Sequence, residues 1–161
     1  MTLAIDYRLT GSGWAVCIVR TGGKDYEISA SYLSDALGNL VLAAAAVLAG
    51  AHSISVGFDE EPGEYRWAVV RTDNGTVRLT VLSFQELWGN RPDAEGTPLC
   101  SWTGHPVDLG RAVRDAAEAV LNAHGLAGYK ERWAEHDFPS LQLELLKRYI
   151  TEWERNRQAP G

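Results

Sequence analysis

The residues best equipped for chemistry crowd into one short stretch, Asp59-Glu60-Glu61-Pro62-Gly63-Glu64, followed at once by Tyr65 and Arg66. Four carboxylates within six positions can hold a hard cation through oxygen ligands. They can also divide acid and base roles where the surroundings separate their pKa values. The Pro-Gly pair makes the stretch a turn. Its spacing does not match the EF-hand calcium loop, and no histidine stands near it in sequence. Carboxylates solvated at a hairpin tip are therefore the first reading, and a binding edge is the second.

Other reactive side chains are scattered. His52, His105, His124 and His136 form neither His-x-His nor His-Glu-x-x-His, so no metal ligand set is nominated. His52 and His124 fall at helix ends, where an imidazole can bond free carbonyls. His136-Asp137 has the form of an oriented base, but no nucleophile pairs with it and Gly-x-Ser-x-Gly is absent. Cys17 and Cys100 share no metal or redox spacing, and Cys17 sits in an apolar strand pattern that suits a buried thiol. Gly11-Ser12-Gly13 and Gly22-Gly23 lead into strands, whereas a phosphate cradle feeds a helix. No catalytic residue, metal or cofactor is assigned.

Six tryptophans are many for 161 residues. Trp14 and Trp67 lie on strand patterns and are expected in the core. Trp88 and Trp102 lie in or beside a turn-rich stretch from about Gln85 to Pro106, and aromatics presented from loops are typical of binding surfaces. For any single ring, the simpler role is to pin the loop to the core.

The element that must position these groups is Ser34 to Gly50, SDALGNLVLAAAAVLAG. Ser34 or Asp35 caps the first turn, Leu37, Leu40, Val41, Ala44 and Leu48 recur at helical spacing, and Gly50 supplies the stop. From Leu40 to Ala49 there are ten uninterrupted apolar residues, about half of what a bilayer core requires. This is a core helix, covered on most sides, and it should leave no interior room for a reaction.

Around it, alternation predicts strands at Leu3 to Leu9, Trp14 to Val19, Tyr26 to Ala30, Ile54 to Phe58, Tyr65 to Arg71 and Thr76 to Phe84, with a short further strand near Leu99 to Trp102. Trp14 to Val19 is apolar on both faces, as a central strand would be. Gly22-Gly23 and Asp73-Asn74-Gly75 are hairpin signals. A second helix runs from about Asp108 to His124 and stops at Gly125, a turn or two follows at Tyr129 to His136, and a last helix starts near Pro139. The expected fold is α+β: a single twisted antiparallel sheet of about six strands with three helices packed on it, in the order βββ-α-βββ-loop-α-α. Residues 1–157 form one domain and 158–161 a frayed tail.

A formal net charge of −6 argues against a protein that holds nucleic acid through phosphates. It suits a basic partner met by electrostatic steering. No secretory signal pattern opens the chain, and a cytoplasmic home without a membrane role is expected.

The runs Ser34-Asp-Ala-Leu-Gly-Asn-Leu, Glu61-Pro-Gly-Glu-Tyr-Arg-Trp and Gly128-Tyr-Lys-Glu-Arg-Trp, with Phe138-Pro139, resemble those of small uncharacterised bacterial proteins, similar in size and layout to immunity proteins of toxin systems. That resemblance implies an interaction role, in which the protein covers a toxin, and it brings no catalytic residue. The resulting expectation is a non-catalytic domain that binds another protein, with a homo-oligomer left open. Its contact residues would be Asp59, Glu60, Glu61, Glu64, Arg66, Trp88 and Trp102. The competing expectation is a small enzyme or ligand-binding protein with a cleft near His136 and the 85–106 loop.

Overall fold

Hairpin turns and a capped helix set the path of the first half of the chain. In a computed structural model, which describes residues 1–158, β1 (Leu3–Leu9), β2 (Trp14–Thr21) and β3 (Lys24–Ser31) form one antiparallel meander. Gly22 and Gly23, at φ 60° and 74°, supply the positive-φ pair that a tight hairpin between β2 and β3 requires. Helix α1 (Ala36–Leu48) follows, and then β4 (Ser53–Asp59), β5 (Glu64–Arg71), β6 (Val77–Phe84) and β7 (Thr97–Gly104) make a second meander. Helices α2 (Pro106–Trp133) and α3 (Ser140–Gln158) close the described chain. Gln158, the first residue of the expected tail, is still helical, and 159–161 lie outside the described residues.

The architecture is α+β, but the single six-stranded sheet is replaced by seven strands in two sheets, ordered β1-β2-β3 and β4-β5-β6-β7. The physical reason lies where the end of β3 meets β4. The Ser31 hydroxyl donates to the Asp59 carbonyl at 3.1 Å, the Asp59 N–H donates to Ser34 Oγ at 2.9 Å, and Asn39 Nδ2 donates to the Gly57 carbonyl at 3.0 Å. Side chains thus occupy edge positions on β4 that a strand would otherwise pair. Alternation along a chain predicts strands but says nothing about which edges join.

Helix α1 is capped as expected: the Asp35 carboxylate accepts from the Gly38 N–H at 3.2 Å. It packs against α2, α3 and β4, and its alanines let these neighbours approach closely. At Gly110 of α2 an added Cβ would lie 2.8 Å from Leu48 Cδ1 of α1 and 3.4 Å from Ile150 Cγ1 of α3, so the three helices meet there. Helix α2 breaks at Gly125, with φ 67° and ψ 177°, as its sequence predicts, and the segment beyond the break turns Tyr129 and Trp133 into the core. The core itself is shared by both sheets: the Tyr7 ring of β1 meets the Phe58 ring of β4 edge-on at 6.2 Å.

β2 is the central strand of its sheet, as its sequence predicts, but two details differ from that pattern. Its second face is not covered: Ala15, Cys17 and Val19 are buried, while Val16 and Ile18 are half-exposed and Trp14 is 39% exposed. Trp14 is therefore a surface residue rather than a core one, because alternation puts it on the same outer face as Arg20.

Candidate functional site

The acidic turn connects β4 to β5, and its shape is dictated by what lies beneath it. The Glu60 N–H donates to the Gly63 carbonyl at 3.0 Å, closing the turn. Gly63 rests so tightly on the backbone of Phe84 that an added Cβ would come 2.3 Å from the Phe84 carbonyl oxygen. The Leu87 N–H then reaches the Pro62 carbonyl at 2.8 Å, tying the stretch after β6 to the turn.

That stretch does not wander. It folds back over the outer face of the four-stranded sheet, and Gly96 packs against the Phe84 ring and Leu82, leaving both side chains 6% exposed. Arg66, on the outer face of β5, is clamped underneath. Its guanidinium lies 3.9 Å from the centroid of the Phe84 ring. It donates to Glu64 Oε1 at 2.6 Å, to Asp93 Oδ1 at 3.1 Å and to the Arg91 carbonyl oxygen. Ser55 Oγ donates to the same Asp93 oxygen at 3.1 Å. Burial alone would lower the Arg66 pKa, but its bonds to the two carboxylates outweigh that and raise it. The Glu64 and Arg66 side chains, 11% and 14% exposed, are consequently engaged with each other and with the loop.

The remaining acidic side chains lie nearer the surface, Asp59 and Glu60 half-buried. Glu61 is exposed, and Glu60 accepts from Ser29 Oγ at 2.6 Å, lying across the end of β3. Asp59 accepts the indole N–H of Trp88 at 3.2 Å. The Asp59 pKa is raised, first by partial burial and then by the nearby Glu64 charge, against the Trp88 hydrogen bond, which lowers it. Trp88 is 67% exposed, and its backbone is in the left-handed region at φ 58°. A groove of about 440 Å³ runs beside it, lined by Ser55, Gly57, Glu64, Arg66, Trp88 and Asp93.

Of the residues expected at the surface, Asp59, Glu60, Glu61 and Trp88 converge on this corner, with Glu64 and Arg66 just beneath. Trp102 does not join them. It lies on β7, faces inward at 2% exposure and donates its indole N–H to the Met1 carbonyl at 3.1 Å. Trp14, placed in the core by its pattern, stands at the same corner instead, opposite Ser31 on the neighbouring strand. Arg20, three pleats along the same face, is the signal that could have found it. Asp93 and the serines of the β3–β4 junction had no such signal, because serine and aspartate are expected in any loop or strand end.

The second hollow lies elsewhere. It is about 560 Å³ and is lined by Asp35, Leu126, His136, Asp137, Phe138 and Leu141 among others, with no contribution from the 85–106 stretch. The cleft expected to combine the two is thus divided between separate places. Burial raises the Asp35 pKa, opposed by the His136 charge and the Gly38 N–H. Leu126 and Leu141 are 58% and 85% exposed at its rim.

Among the described residues no group of three or more His, Cys, Asp or Glu side chains is placed to hold a metal ion. No described helix is long and apolar enough to cross a membrane. No family model, curated protein or solved structure matches this chain.

Proposed function

We propose that this chain is a non-catalytic protein-binding domain whose contact surface is the corner where β3 and β4 meet. The observation that carries this reading is Trp88: a large aromatic ring, 67% exposed, whose orientation is nevertheless fixed by Asp59. A ring ordered before contact loses little freedom on binding, which is what makes tryptophan an effective anchor. Asp59 bonds the ring and Glu60 and Glu61 follow in the same turn, so the favoured partner is a basic protein drawn in by charge. An immunity-type role, covering a toxin, is the form of this reading that the sequence resemblance suggests. A cytoplasmic setting, where the free thiols of Cys17 and Cys100 stay reduced, is part of the same proposal.

The test uses the protein encoded beside it as the ligand, with association followed by surface plasmon resonance at low and high salt. Glu60→Lys with Glu61→Lys is expected to slow association by roughly tenfold at low salt, and Trp88→Ala to speed dissociation. Identical rates for wild type and both variants would overturn the assignment of this corner.

The hollow at His136 supports a second reading, a small-ligand site, because exposed leucines, an imidazole and carboxylates share one concavity. Ligand-induced shifts of the His136 and Leu141 NMR signals, absent at Trp88, would favour it.

A further inference from the structure

One face of the three-stranded sheet is open to solvent, and an apolar row runs along its middle. Trp14, Val16 and Ile18 follow one another on that face of β2, the first 39% exposed and the others half-exposed. Strand pairing sets what borders the row. Arg8 and Asp6 of β1 stand opposite Val16 and Ile18 on one side, and Ser29 and Glu27 of β3 stand opposite them on the other.

The two borders differ in charge. On the β1 side, and at the Arg20 end, opposite charges meet. Arg8 Nη2 lies 2.7 Å from Asp6 Oδ2, and the Arg20 guanidinium lies 3.8 Å from that oxygen and 3.3 Å from Asp25. On the β3 side they do not. Glu27 is exposed beside Ile18, and Ser29, beside Val16, donates its hydroxyl to Glu60 Oε1 at 2.6 Å and so holds a second carboxylate against the strand. Among the described residues neither Glu27 nor Glu60 has a basic partner.

We propose that this face docks a basic amphipathic helix of the protein partner, laid along β2. The inference rests on the protein-binding reading above and names the segment that its acidic surface receives. The occupant is helical because β2 is already paired on both sides, so a segment lying across its face must satisfy its own backbone groups. The dimensions agree. Trp14 to Ile18 covers about 13 Å of strand, the rise of roughly nine helical residues, enough for an apolar stripe of two turns. Glu27 and Ser29 are about 7 Å apart along β3, and basic residues one helical turn apart on the border of that stripe are separated by about 6 Å. Two such residues therefore meet Glu27 and Glu60 together, while the opposite border of the stripe lies over charges that already balance. Charge also disfavours a second copy of this chain, which would bring the same unmatched carboxylates to the contact.

The test titrates the labelled chain with a synthetic peptide of leucine and lysine at helical spacing, followed by NMR. Shifts are expected at Val16, Ile18, Glu27 and Ser29. A peptide of the same composition with strictly alternating leucine and lysine, and a helical peptide of leucine and glutamate, should each bind at least roughly tenfold more weakly. Ile18→Lys and Glu27→Lys, both outside the Trp88 corner, should each weaken binding of the helical peptide by roughly tenfold. Circular dichroism checks that both variants fold. Equal binding of the alternating peptide, or wild-type affinity in both variants, would overturn the proposal. Shifts at Trp88 and Glu61 with none at Val16 or Ile18 would overturn this face and leave the corner standing. Shifts along β2 that Trp88→Ala leaves unchanged would support this face and count against the corner. Sedimentation equilibrium of the chain alone should give a monomer; a dimer lost in Ile18→Lys would assign the face to a second copy and overturn the proposal.

Discussion

The indole N–H of Trp88 lies 3.2 Å from Asp59 Oδ2, and this one hydrogen bond fixes a side chain that packing leaves largely in water. Trp88→Ala should therefore change stability by less than about 0.5 kcal/mol. Trp67, with 0% exposure against Phe58, is the contrast: Trp67→Ala is expected to cost about 3 kcal/mol or more. Urea unfolding of the two variants measures the difference.

Arg66 should behave as a structural group. Its side chain and that of Glu64 are both largely buried, so Arg66→Met strands an uncompensated carboxylate and is expected to cost about 3 kcal/mol. Glu64→Gln combined with Arg66→Met should cost less than Arg66→Met alone, since no charge is then left unpaired. The single variant also frees Asp93, so limited proteolysis should cut between residues 86 and 95 faster than in wild type. Equal costs for the single and double variants would show that the ion pair is not what holds the loop.

The cap of α1 has a pH signature. The folded-state pKa of Asp35 is raised above the ordinary aspartate value, so the native state holds this proton more tightly than the unfolded chain. Its contribution is greatest below the ordinary aspartate pKa and is lost as pH rises through the raised folded value. Asp35→Asn keeps an acceptor for Gly38 N–H but cannot ionise, so the difference in stability between variant and wild type should move in the variant's favour across that window. Asp35→Ala, which removes the acceptor, is expected to cost about 1 kcal/mol at neutral pH. Denaturant titrations from acid to neutral pH check both.

The junction between the sheets should yield to small changes. Ser34→Ala leaves the Asp59 N–H without its partner, at an expected cost of about 1 to 2 kcal/mol. Amide exchange at Asp59 should accelerate while that of β1 does not. A variant with unchanged exchange at Asp59 would show that another donor or acceptor serves this edge.

Much of this was legible beforehand, for reasons that differ from element to element. Helix α1 announces itself because its cap, apolar spacing and glycine stop all agree, and the hairpin at Asn74-Gly75 because its turn chemistry leaves few alternatives. The four carboxylates were visible, but not their division of labour: only the fold of residues 85–96 over Phe84 separates Glu64, which serves Arg66, from Glu61, which faces solvent. For Trp102 the sequence offers both a turn-rich surrounding and a short strand near Leu99 to Trp102, and the strand in fact extends further, through Pro98 and Gly104. The break between β3 and β4 was illegible for a deeper reason. It depends on Ser31, Ser34 and Asn39 reaching groups 18 to 28 positions away, and hydroxyl or amide identity carries no record of such a destination.

That junction also bears on how the chain tolerates change. Ser31, Ser34 and Asn39 reach β4 beside the Ser29–Glu60 bond and above a shared core, so the two meanders meet through side chains and not through a strand ladder. A residue inserted at the Gly22-Gly23 or Asn74-Gly75 turn is absorbed within its own hairpin, without shifting the register across the gap. Each hairpin can therefore change its turn without a ladder carrying the shift into the other sheet.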